Sequence, residues 1–195
     1  MGGWDESRAR QLDRNRMGHG MARKTQTTST RLSKYVEMAL EAGASDAKLI
    51  APEDVSTAEW VRLRCQYGCG MYGRCLTCPP HSPTPEQTRR VLDEFSTAVL
   101  IHSDGEADVC EIATTIEREA FLDGHYKAFG FHAGPCQSCD ECDTSAPCRN
   151  PSLARPAMEA AGIDVFATAH AAGLPLEVAR TRRCPQNYYS LVLIE

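Results

Sequence analysis

Residues 134–149 read Gly-Pro-Cys-Gln-Ser-Cys-Asp-Glu-Cys-Asp-Thr-Ser-Ala-Pro-Cys-Arg. Cys136, Cys139, Cys142 and Cys148 stand there at C-x2-C-x2-C-x5-C spacing. Three thiolates on a two-residue spacing can wrap one face of a small inorganic cube, and a fourth arrives after a short excursion. Bacterial ferredoxins carry C-x2-C-x2-C-x3-C-P, whose fourth cysteine ligates the neighbouring cluster. The spacing here is close to that pattern without matching it, and it points to an iron–sulfur site of the 4Fe–4S type. Zinc is the alternative, because it also takes four cysteines in closed tetrahedral sites. Its sites usually pair two separated C-x2–4-C knuckles, and a C-x2-C-x2-C triplet is less typical of them. A disulfide framework is the third reading.

A second group lies upstream. Cys65, Cys69, Cys75 and Cys78 are spaced C-x3-C-x5-C-x2-C, with Gly68, Gly70 and Gly73 between them. Those glycines permit tight turns around a ligand. Pro79 and Pro80 follow, and proline there favours an extended exit. We read this group as a second cluster, with zinc again the alternative. Backbone N–H groups in such a loop can bond cluster sulfurs and tune the potential. Residues 68–73 also spell a literal G-x-G-x-x-G. A dinucleotide fingerprint needs a helix N-terminus for the pyrophosphate, and a cysteine–proline loop follows instead. No P-loop and no G-x-S-x-G elbow occurs.

A chain of 195 residues, 42% hydrophobic, can bury a core without ten cysteines serving as staples. The N-terminus is polar, without the apolar stretch of a signal peptide, and no apolar run is long enough to span a membrane. A cytoplasmic, reducing setting is therefore expected, where clustered cysteines more often mean metal than disulfide. The net charge of −5, with no long basic run, argues against nucleic acid as the main partner.

Residues 1–30 are rich in Arg, Gly, Ser and Thr and are expected to form a disordered leader. Residues 31–195 are expected to form a cysteine-rich, metal-binding iron–sulfur domain. Thr30 is placed to cap a helix over 31–42, ended by Gly43. Strands are expected at 47–51 and at 59–65, the latter alternating Val61, Leu63 and Cys65. Thr84-Pro85-Glu86-Gln87 signals a helix start that runs on to Phe95. A buried strand follows at 97–102, and a long helical pattern covers 108–131. Two short helices are predicted at 151–160 and 164–171, ended by Gly162 and Gly173. A last strand covers 187–194. The fold class expected is α/β: a mixed β-sheet flanked by helices, with two cysteine-rich metal-binding loops at one end.

Further candidates surround the cysteine groups. Cys110 suits a small buried side chain, and Cys184 sits in a loop that could approach a cluster. His81, His125 and His132 are candidate ligands or proton carriers. Arg149 and Arg155 flank Cys148 and could offset thiolate charge.

Several motifs together resemble one family. They are Ala42-Gly43-Ala44-Ser45-Asp46-Ala47, Cys75-Leu76-Thr77-Cys78-Pro79-Pro80, Arg118-Glu119-Ala120-Phe121, and Gly134-Pro135-Cys136 with its following cysteines. Arg155-Pro156-Ala157-Met158-Glu159-Ala160, Gly162-Ile163-Asp164-Val165 and Asn187-Tyr188-Tyr189 complete the set. They resemble the cysteine-rich predicted metal-binding protein family, domain of unknown function 2284, from about Leu32 onward. The resemblance implies metal binding by the eight cysteines and no particular reaction.

The leading expectation is a protein with two 4Fe–4S clusters that moves single electrons to or from a redox partner protein. An iron–sulfur-dependent enzyme on a small-molecule substrate, a zinc-stabilised interaction module and a cluster-delivery protein are the competing expectations. Neither a membrane nor nucleic acid is expected as a partner.

Overall fold

The computed structural model describes residues 31–181 and 183–195. The chain divides into two units, Met1–Lys34 and Tyr35–Glu195. The expected leader and the Thr30 cap lie outside the described residues. The second unit holds the sheet and all ten cysteines.

Helix α1 covers residues 31–41, and Gly43, at φ +95°, turns the chain into strand β1 (Asp46–Ile50). Helix α2 (Glu59–Gly68) replaces the strand expected at 59–65. The alternating apolar residues misled: Val61 alone is buried within α2, and Leu63 is 55% exposed. Val61 and Cys65 are also one helical turn apart, so the same letters serve either period.

Helix α3 (Pro85–Leu92) begins as the sequence predicts. Thr84 accepts the Gln87 amide at 3.2 Å, and the Gln87 side chain accepts the Thr84 amide at 2.8 Å. The helix ends three residues short of Phe95. Strand β2 (Ala98–Ser103) is buried at every position. Helix α4 (Val109–Leu122) is capped by Asp108, whose carboxylate accepts the Cys110 and Glu111 amides. The long helix expected over 108–131 is thus two elements. Gly124, at φ +100°, breaks it, and strand β3 (Phe129–Phe131) follows.

Residues 151–160 form turns and a 3-10 turn (Glu159–Ala161) instead of the predicted helix. Proline at 151 and 156 restricts the preceding residues to extended backbone and interrupts any helix there. Helix α5 (Val165–Ala171) is capped by Asp164, and strand β4 (Tyr188–Leu193) ends the fold.

The expected α/β architecture is present. The sheet, expected as mixed, has the order β1-β2-β4-β3, and all three pairings run antiparallel. Ala98 pairs with Leu193 and Leu100 with Leu191, and both pairs face a core with Phe131, Met158 and Ile163. Val99, Ile101 and Val192 alternate to the opposite face, against which α4 packs. α2 packs separately, on the 3-10 turn. The two layers leave the 69–84 segment and the 133–156 segment outside the regular elements.

Candidate metal centre

The first cysteine group begins on a helix, not at a strand end. Cys65 lies in the last turn of α2, and Cys69 caps that helix, its amide bonded to the Cys65 carbonyl at 3.3 Å. The chain then runs through turns. The Tyr72 amide bonds the Cys69 carbonyl, and the Gly73 amide bonds the Pro79 carbonyl at 2.7 Å, folding the segment back on itself. The Cys78 amide bonds the Cys75 carbonyl at 3.0 Å, and the Ser82 amide bonds the Cys78 carbonyl. Ser82 also donates to the Ala160 carbonyl at 2.6 Å, pinning the segment to the 3-10 turn. Cys75 and Cys78 are buried, whereas Cys69 is exposed.

The second group hangs from a neck. The His132 amide donates to the Pro156 carbonyl and the Met158 amide to the His132 carbonyl, both at 2.9 Å. His132 and Ala157 thereby form a parallel bridge across the base of the loop. The Arg155 guanidinium reaches Glu117 on α4, and Arg155 also donates to the Pro151 and Ala154 carbonyls. Its charge is thus spent on a carboxylate rather than on the thiols. Inside the loop, Asn150 donates through Nδ2 to the Ser138 carbonyl at 3.0 Å and to the Cys139 thiol at 3.1 Å. Cys136, Cys139, Cys142 and Cys148 are all half-buried.

The two groups meet. The Leu76 amide, between Cys75 and Cys78, points at the Cys142 Sγ at 3.4 Å. Cys75 and the Thr77 hydroxyl are 3.2 Å apart. Burial works against ionisation of Cys75, but hydrogen bonds from Thr77, Cys142 and Cys78 outweigh it and hold the thiol below its usual range. Cys78 is the opposite case: burial, with the charge of Cys75 beside it, pushes it up to about 12. Burial and the nearby Cys69 also raise Cys65. No hydrogen bond among the described residues ties the half-buried Cys148 to either group. Among the described residues, no three Cys, His, Asp or Glu side chains stand together as a ready-made metal site.

The donor set itself decides what fits. Thiols abound, and Leu76 and Asn150 already aim N–H groups at sulfur. Soft thiolates select zinc or iron–sulfur clusters over hard cations, and N–H donors around the ligands are what such centres require. Two of the three candidate histidines are otherwise engaged: His125 lies 3.3 Å from a Glu195 oxygen, and His132 Nε2 lies 3.0 Å from the Thr114 hydroxyl. His81 is exposed, and among the described residues it bonds through its backbone amide alone, to the Cys78 carbonyl.

The sequence reading missed a cleft of about 1220 Å³ that Cys65, Cys69 and Cys78 line on one side. Cys184 also lines it, which brings that leftover cysteine into the same space as the first group. Hydrogen bonds from Thr181 and from the Arg180 backbone lower its thiol. Glu159 lines the cleft too. No sequence signal pointed to this cleft, because α2, the 3-10 turn, α5 and residues 176–181 and 184–189 build it together. Cys110 stays apart, its thiol 3.3 Å from the Ala133 carbonyl and burial raising it.

No described helix is long and apolar enough to cross a membrane. A family model described as predicted metal-binding protein (DUF2284) matches residues 48–194. No curated protein and no solved structure matches the chain.

Proposed function

The chain belongs to the DUF2284 family of predicted metal-binding proteins, and from that premise we propose that it is a cytoplasmic iron–sulfur protein serving a redox partner. Cys65, Cys69, Cys75 and Cys78 would hold one 4Fe–4S cluster, and Cys136, Cys139, Cys142 and Cys148 a second. Each cluster, when bound, supplies reversible one-electron transfer. The chain's own residues set the conditions. Asn150 and the Leu76 amide donate hydrogen bonds to ligand sulfurs, and the buried Cys75–Cys78 pair keeps one side of the centre from water.

One observation carries this reading: the Leu76 amide touches Cys142, so the two cysteine groups are neighbours. Groups in contact can relay an electron from one to the other; groups on opposite faces could not. Metal binding alone would need no such adjacency.

The test is iron, zinc and acid-labile sulfide content of anaerobically purified protein, with an absorption spectrum of the same sample. About eight iron and eight sulfide per chain is the expected result. About two zinc, no sulfide and no visible band would replace electron transfer with a structural zinc site.

A further inference from the structure

Cys65, Cys69 and Cys78 occupy only part of the wall of their cleft. Small-molecule sites are concave, mostly apolar and set with a few placed polar groups. On α2, Trp60 and Arg64 are one helical turn apart, as are Val61 and Cys65, and all four face the cleft. Phe166 of α5 lines it as well, with Val178, Arg180 and Tyr188. Trp60, Tyr72, Phe166, Val178 and Tyr188 all remain substantially exposed, and all stand around this one opening. Exposed apolar surface gathered in one place marks a binding site.

Most charges in the same lining are unspent. Arg64 and Arg180 make no side-chain hydrogen bond or ion pair among the described residues, unlike Arg62, Arg89 and Arg155. Asp164 is committed to the Ala167 amide at the head of α5. Glu159 and Glu177 have no cationic partner among the described residues. The lining therefore offers an aromatic rim, two guanidinium groups and two carboxyl groups. We propose that the cleft binds an amphoteric small molecule with a flat apolar body. Trp60, Tyr72, Phe166 and Tyr188 take the body, Arg64 and Arg180 take a carboxylate, sulfonate or phosphate group, and Glu159 and Glu177 take an N–H or O–H donor. A molecule held there lies against the thiol wall. The proposal goes beyond the metal assignment and holds whichever metal the thiols carry.

8-Anilinonaphthalene-1-sulfonate has this chemistry: a flat aromatic body, an N–H and a sulfonate. Added to the full chain purified with its metal, it should bind at a single site, accept energy from Trp60 and slow iodoacetamide alkylation of Cys184. Trp60→Phe should abolish most of the energy transfer while binding persists. Replacing Arg64 and Arg180 together by Gln should weaken binding about tenfold, the loss of a charge-assisted bond. N-Phenyl-1-naphthylamine, which lacks the sulfonate, should not feel that change. Phe121→Ser and Tyr126→Ser remove exposed aromatics outside the cleft and should leave binding as it was. Several weak sites, indifference to the arginine changes, or equal sensitivity to Phe121→Ser overturns the proposal. Iron, zinc and sulfide content of the same samples keeps a failure of the cleft distinct from a failure of the iron–sulfur reading.

Discussion

Arg155 holds Glu117 by two parallel hydrogen bonds, Nη2 to Oε1 at 2.5 Å and Nε to Oε2 at 2.8 Å, and both side chains are largely buried. Glu117 Oε2 also accepts the Gly130 amide at 2.7 Å. One carboxylate thus joins α4, β3 and the exit of the second cysteine loop. Removing one partner of such a pair strands the other charge. Glu117→Gln is expected to cost about 3 kcal/mol in urea unfolding. The same variant should also bind less metal, because the loop's anchor is gone. Glu117→Gln with Arg155→Met should recover part of the stability, as a double-mutant cycle would show.

Gly162→Ala should be among the most damaging small substitutions. Gly162 sits at φ +79°, and an added Cβ would lie 2.9 Å from Pro85 Cβ and 3.0 Å from Pro85 Cα. A side chain is both strained and crowded there, where the 3-10 turn meets the head of α3. A loss of about 2 kcal/mol is expected by chemical denaturation. Gly68→Ala, with nothing near its Cβ position and an ordinary φ, should be nearly neutral in the same assay.

Stability should fall on mild acidification through His132. Burial, helped by the Arg155 charge, lowers this imidazole from 6.5, while Glu117 and Asp108 pull the other way. The unfolded chain then takes up its proton first. The contribution is complete above the unfolded value and is lost as pH drops toward the folded one, by at most about 1.4 kcal/mol per unit. His132→Gln should flatten the decline, measured as unfolding free energy between neutral and mildly acidic pH.

Stripping the metal should expose a ranked set of thiols. Cys184, lowered by its Thr181 and Arg180 hydrogen bonds and half-exposed, is expected to react first with iodoacetamide. Cys78, buried and pushed up to about 12, should react last. Peptide mass spectrometry of samples quenched over time reads the order directly. Early labelling of Cys78 would mean the first loop opens when metal leaves.

Asn150→Ala deletes the N–H donor to Cys139 without touching a thiol. Loss of such a partner commonly costs 10- to 100-fold in metal affinity, so metal release to a chelator should quicken by roughly that factor. Asn150→Gln, which can still donate, should restore part of it.

Local chemistry made some of this fold legible. The Thr84 capping box needs only four adjacent residues, and the Val99-Leu100-Ile101 run has no polar face to mislead. The strand expected at 59–65 failed because Val61, Leu63 and Cys65 alternate, while burial at Val61 alone gave no second apolar stripe. β3 escaped notice because its evidence is its partner: Phe129, Gly130 and Phe131 are a strand only opposite Leu193, Val192 and Leu191. The cysteines announced themselves by spacing. Their meeting at Leu76 and Cys142, separated along the chain by α3, β2, α4 and β3, had no local signature at all.

The bridge between His132 and Ala157 gives the second cysteine loop two ends at one place. Residues can be gained or lost between them without shifting β3 against β4. The gap between Cys142 and Cys148 is therefore free to drift in length over evolutionary time, whereas the neck is not. Related chains should differ most in that gap and least in the residues that clasp its base.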